Sequence, residues 1–122
     1  MKINIKATNM DLTDAIREYV EKKLSQVDEK LISKDNTSAM CDVEVGKTTN
    51  HHKKGDIFRA EFNLHVDGIY IRAESKQQNL YAAIDTAKDE LFRSLRSKKN
   101  KGKDKKRKGM SHIKRLLKGL KW

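Results

Sequence analysis

His51, His52, His65 and Cys41 are the candidates for holding a soft metal ion. A zinc site becomes persuasive when His or Cys recur as two spaced pairs. Adjacent histidines in a polar loop lack that spacing, so a solvated loop is the better reading. Cys41 falls on the apolar side of an alternating segment with no base beside it. That placement fits a small buried hydrophobe better than a nucleophile. The six glycines stand singly and form no GxGxxG or GxxxxGK phosphate cradle. Carboxylates alternate with lysines instead of pairing. No catalytic residue, metal site, cofactor or small-molecule substrate is expected, and the chain reads as a binding protein, not an enzyme.

The remaining chemistry is cationic. The chain has 122 residues, with 28 Lys+Arg against 17 Asp+Glu and a net charge of +11. Residues 1–96 hold 16 Lys+Arg and 16 Asp+Glu, whereas residues 97–122 hold 12 Lys+Arg against Asp104 alone. A neutral body of single-domain size thus precedes a strongly basic end. No apolar run approaches the ~20 residues of a membrane span, and the N-terminus does not resemble a signal peptide. A single cysteine excludes an intramolecular disulfide and favours a reducing, cytoplasmic setting.

Two periodicities organise the body. Ile3, Ile5 and Ala7 alternate with polar residues, as in a half-buried strand. Leu12, Ile16, Val20, Leu24, Val27 and Leu31 then form one stripe on a helix from about Thr13 to Ile32, with Thr13 as its N-cap. Alternation returns at Ala39, Cys41, Val43 and Val45, again from Phe58 to Val66, and again at Ile69, Ile71 and Ala73. Asp67-Gly68 between the last two runs predicts a hairpin with a type I′ turn. Leu80, Ile84, Ala87, Leu91 and Leu95 mark a second helix, about Asn79 to Lys98. The expected fold is an α/β two-layer (α+β) β-α-β-β-β-α domain, a four-stranded mixed sheet with both helices on its one apolar face. The domain is expected over residues 1–98. Residues 99–122 read as a flexible basic tail, its Lys-dense part to Gly109 a solvated linker or a frayed helix extension, with a short amphipathic helical end in which Ile113, Leu116, Leu117 and Leu120 fall at helical spacing.

On the first helix Arg17, Lys22 and Lys23 lie off the apolar stripe. On the second, Lys88, Arg96 and Lys99 share a line, with Arg93 nearby. Helices side by side would turn these rows into a positive groove suited to a phosphate backbone. Solvated faces with i,i+4 partners such as Glu18–Lys22 are the equal alternative. The basic end is the more specific signal. Lys98, Lys99, Lys101, Lys103, Lys105, Lys106, Arg107, Lys108, Lys114 and Arg115 could displace counterions from a nucleic acid. An anionic membrane surface, met through Leu116, Leu117, Leu120 and Trp122, is the less favoured target. Acting alone, this end would make the chain a general RNA-binding or anionic-surface-binding protein.

The stretch from Asp11-Leu12-Thr13-Asp14-Ala15-Ile16-Arg17-Glu18-Tyr19-Val20 to Leu24 resembles the opening of the ribosome hibernation promoting factor family, which includes the inhibitor called protein Y. The match resumes at Ile71-Arg72-Ala73-Glu74 and at Asn79-Leu80-Tyr81-Ala82-Ala83-Ile84-Asp85, and it spans about residues 1–99. The resemblance implies a bacterial, cytoplasmic protein on the 30S ribosomal subunit, in the channel for messenger and transfer RNA. There it would contact 16S ribosomal RNA and block translation in dormancy or stress, with 70S or 100S ribosomes as further assemblies. Arg17 and Lys23 match basic positions of the family's first helix, Arg93 and Arg96 those of its second, and Tyr81 the aromatic at its start. The chain departs from the pattern at Gln26, Glu90 and Ser97, where the family usually has Lys. It reads as a short form without the dimerisation domain of longer members, and the basic end matches nothing in the family. Binding charge is expected to have moved from body to tail.

Overall fold

Thr13 starts the first helix as its sequence predicts, its Oγ1 accepting from the Ile16 N–H at 3.2 Å. The protein is seen here in a computed structural model that describes residues 1–36, 38–48 and 55–119, with side chains as far as Lys101. Its elements are β1 (Lys2–Thr8), α1 (Asp14–Leu31), β2 (Met40–Thr48), β3 (Ile57–Val66), β4 (Ile69–Gln77) and α2 (Leu80–Gly119). The strands form one four-stranded sheet in the order β1-β2-β3-β4. β1 pairs parallel to β2, and the other pairs are antiparallel. This is the expected mixed-sheet, β-α-β-β-β-α fold.

Alternation decides which sheet face is buried. Cys41, Val43, Val45, Ala60, Phe62, Leu64, Val66, Ile71 and Ala73 point into the core. They meet Ile16, Val20, Leu24 and Val27 of α1 and Leu80, Ala83, Ile84, Ala87, Leu91 and Leu95 of α2. Phe62 lies at the middle of the sheet, in register with Val43 on one side and Ala73 on the other. Burial pushes the Cys41 thiol up to about 12, with Asp42 adding to the effect, which keeps it protonated and inert at neutral pH. The β3–β4 turn has Asp67 at φ 50 and Gly68 at φ 74, the paired positive values of a type I′ turn. Asn36 Nδ2 donates to Asp67 Oδ1 at 2.8 Å and ties that turn to the loop after α1.

The second helix corrects one expectation. Asn79 caps it, its Oδ1 accepting from the N–H groups of Tyr81 at 2.8 Å and Ala82 at 3.3 Å. Its backbone does not stop near Lys98 but continues to Gly119, for 40 residues. Lys and Arg are good helix formers, and the chain holds no proline. The loss of apolar residues after Leu95 removes a packing surface without removing backbone propensity. The amphipathic segment expected at the end lies inside this continuation as far as Gly119; Leu120 and Trp122 fall outside the described residues.

Candidate nucleic-acid interface

α1 and α2 run side by side in the same direction, and a polar cluster joins their first halves. The Tyr19 hydroxyl donates to Asp85 Oδ1 at 2.6 Å, and Lys23 Nζ reaches the same oxygen at 3.1 Å. Tyr81 meets the Tyr19 ring edge-on, with centroids 4.8 Å apart. The hydrogen bond to Asp85, aided by burial, raises the Tyr19 pKa, and Asp85 likewise raises that of Lys23. Partial burial pushes the Asp85 carboxyl up, but the Tyr19 and Lys23 donors outweigh it and hold it below its ordinary value. Lys23 and Tyr81, expected among the RNA contacts, are therefore brought together as parts of a helix–helix joint, and the charge of Lys23 already has a partner.

Because the folded carboxyl has the depressed pKa, its stabilisation is present above the unfolded value of about 4 and is lost as pH falls through the folded one. Asp85→Asn should lower stability at neutral pH by about 1 kcal/mol, a modest figure because the site is half open to solvent. It should also flatten the pH dependence below about pH 4. Urea midpoints measured across that range check both effects, and identical curves for the two proteins would refute the joint.

The second half of the pair is different. Gln26, Lys30, Lys88, Asp89, Phe92 and Arg93 line a cleft between the helices. Lys30, Ser33, Arg96 and Lys99 line its continuation beyond the end of α1. Lys88 contacts Asp89 at 3.5 Å. Lys30, Arg93 and Arg96 have no carboxylate partner among the described residues. Along α2, Asp85, Asp89 and Glu90 precede Leu91, whereas Arg93, Arg96, Lys98, Lys99 and Lys101 follow it with no acid before Asp104. The groove thus grades from acidic to basic along its length. A phosphate backbone would be favoured only at its basic end.

The remaining expected contacts are scattered. Arg17 is exposed on the flank of α1 away from α2. It shares that flank with Asp28, whose carboxylate lies 3.9 Å from the Met1 amine. Lys22 is exposed one turn before Gln26, on the outer lip of the groove. Lys98 Nζ donates to the Tyr70 carbonyl of β4 at 2.9 Å. Lys99 Nζ donates to the Leu31 carbonyl and so satisfies a free acceptor at the end of α1. These two lysines clasp α2 to its neighbours on either side. Lys101 is exposed beside Arg93 and Ser97. The side chains of Lys103, Lys105, Lys106, Arg107, Lys108, Lys114 and Arg115 lie outside the described residues, as do His51 and His52. Sequence reasoning missed Lys30 and Phe92. Lys30 sits at helical spacing from Lys23 and Gln26, the one signal that could have placed it on the groove row.

The opposite sheet face neutralises itself. Arg59 bridges Glu61, Glu74 at 2.9 Å and Glu44 at 3.7 Å. Arg72 joins Glu61 at 3.1 Å and Glu74 at 3.0 Å. The Arg59 hydrogen bond lowers the Glu74 pKa despite partial burial. His65 and Tyr70 form a tilted pair beside this network. Among the described residues no group of three or more His, Cys, Asp or Glu is placed to hold a metal ion. No described helix is long and apolar enough to cross a membrane.

Known proteins share both the sequence and the fold. A ribosome hibernation promoting factor of Azotobacter vinelandii is 34% identical over 101 residues, covering 83% of this chain and 85% of that one. A ribosome hibernation promotion factor of Deinococcus radiodurans is 39% identical over 93 residues, covering 76% of this chain but 46% of that longer protein. The crystal structure of the Thermus thermophilus protein Y N-terminal domain superposes with a TM-score of 0.65 at 34% identity, covering 78% of this chain and 96% of that domain. Residues 3–103, from β1 into the basic part of α2, match the family described as sigma 54 modulation protein / S30EA ribosomal protein, and it is to this family that the chain belongs.

Proposed function

We propose that the protein is a cytoplasmic ribosome hibernation factor that binds the 30S subunit through its helices, contacts 16S ribosomal RNA in the messenger and transfer RNA channel, and inhibits translation in dormancy or stress. Relatives named as hibernation factors support the general role. The observation that carries the orientation is Lys30, Arg93 and Arg96 on the helix side, without carboxylate partners among the described residues. The Arg59–Arg72 face has its charge already matched. Counterion release favours the first face for a polyanion. RNA shape and phosphate position, more than base sequence, would set where the groove docks. Members of this family act by binding, not by catalysis, and the domain over residues 1–98 would supply the directed contact while the basic remainder adds affinity.

The full chain should co-sediment with 30S or 70S particles at low salt, inhibit translation in vitro, and be released as salt rises. A protein that stays at the top of the gradient at low salt contradicts this reading. The 12 Lys+Arg of residues 97–122 favour a second reading, in which that segment binds any polyanion by itself. A peptide of those residues that reproduced the whole affinity would support it.

A further inference from the structure

The cleft between α1 and α2 is more than a row of cations. Phe92 packs partly against the core and still lines the opening. Lys88 and Lys30 hold their ammonium groups 5.7 Å and 5.9 Å from its ring centroid. Both distances fall within the ~6 Å reach of a cation–π contact, so each ammonium lies over the ring, and a base stacking there takes the place of one of these mobile side-chain ends. Gln26 contributes an amide that can both donate and accept. Asp89 adds a carboxylate, 66% exposed and held by Lys88. A track built only for phosphates has no use for an aromatic plane, an amide and an acid side by side.

We propose that this cleft holds one unstacked nucleotide of a single RNA strand, its base on the Phe92 ring, its edge at Gln26 and Asp89, and its phosphates at Lys30 and Arg93. Each group fits one part of that ligand. An aromatic ring that lines an opening, as the half-buried Phe92 does, can stack any base. An amide and a carboxylate read base edges, the carboxylate accepting from an exocyclic amine. Asp89 repels phosphate, which leaves the two cations without a carboxylate partner among the described residues, Lys30 and Arg93, to take it. The opening, about 460 Å³, lies in the range of small-ligand sites. A duplex keeps its bases stacked and offers none to the ring.

This assignment rests on the helices being the RNA-facing side, and its test is separate from the ribosome experiment. Binding of the full chain to a short single-stranded RNA is compared with binding to a duplex RNA of equal phosphate number. Phe92→Leu, which keeps apolar volume, should weaken single-strand binding about tenfold, the worth of one stacked base. It should leave duplex affinity and the salt slope unchanged, while Phe92→Tyr should restore single-strand binding. Should Phe92→Leu lower the melting temperature enough to confuse the comparison, Gln26→Ala serves instead, with an expected loss of about fivefold on the single strand alone. Equal losses on both RNAs, or none on either, overturn the nucleotide site. Co-sedimentation with 30S particles but no Phe92 dependence removes the cleft and leaves the proposed function standing. Phe92-dependent single-strand binding without co-sedimentation does the reverse.

Discussion

Replacing Arg93 and Arg96 together with Ala lowers affinity for the small ribosomal subunit by on the order of a hundredfold at low salt, if each loses one charge-assisted phosphate contact. The two residues lie on the stretch of α2 from Leu91 to Lys101, which carries no acid, and they are exposed and without a carboxylate partner among the described residues. Nothing internal compensates them, so their charge is available to a ligand. Their removal should also reduce the slope of log affinity against log salt by about two, one for each phosphate released. The fold should scarcely notice, because exposed substitutions away from special features stay within about 0.5 kcal/mol. A titration of 30S binding against salt, with thermal melting as control, reads all three quantities. An unchanged slope removes these arginines from the interface. By the same reasoning Lys23→Ala should alter stability more than salt dependence, since Asp85 already holds its charge.

Phe62→Ala has the largest expected effect on stability. The ring is fully buried at the centre of the sheet, between Val43 and Ala73 in register. Neither small neighbour can fill the space it leaves. Truncating such a phenylalanine costs about 3–5 kcal/mol, against the ~5–15 kcal/mol that holds a typical domain together. Both helices lie on the sheet face to which this ring belongs. The groove depends on their relative placement, so the variant should lose RNA binding in step with its unfolded fraction. Denaturant titration measures the stability change. A loss below about 1 kcal/mol would mean that the core does not rest on this ring.

Most of the sheet was legible because burial imposes a period of two on each strand. Cys41 to Val45 and Phe58 to Val66 carry that period with few exceptions. Asp67-Gly68 announced its turn for a backbone reason, since both residues must adopt positive φ. Thr13 announced α1 through its hydroxyl. The candidate site was less legible, because its partners lie on different elements. Nothing local to Lys23 says that Asp85 neutralises it. Nothing local to Lys98 and Lys99 says that they reach the carbonyls of Tyr70 and Leu31. Lys30 and Phe92 become a pair only when the rotation and offset of two helices are known. The length of α2 was misread for another reason. A lysine-rich stretch with no apolar stripe describes solvation, while the helix state of its backbone depends on propensity, which lysine satisfies. Among the described residues of the two helices, the cations thus serve three ends: pairs that join elements, clasps on carbonyls, and charges without a carboxylate partner.

A cryo-electron map of the full chain bound to the 30S subunit tests the central claim most directly. The account predicts 16S ribosomal RNA against the groove between α1 and α2, with phosphates near Lys30, Arg93 and Arg96, and the Arg59–Arg72 sheet face turned away. RNA lying on that sheet face, or contacting only residues beyond Lys101, would contradict it.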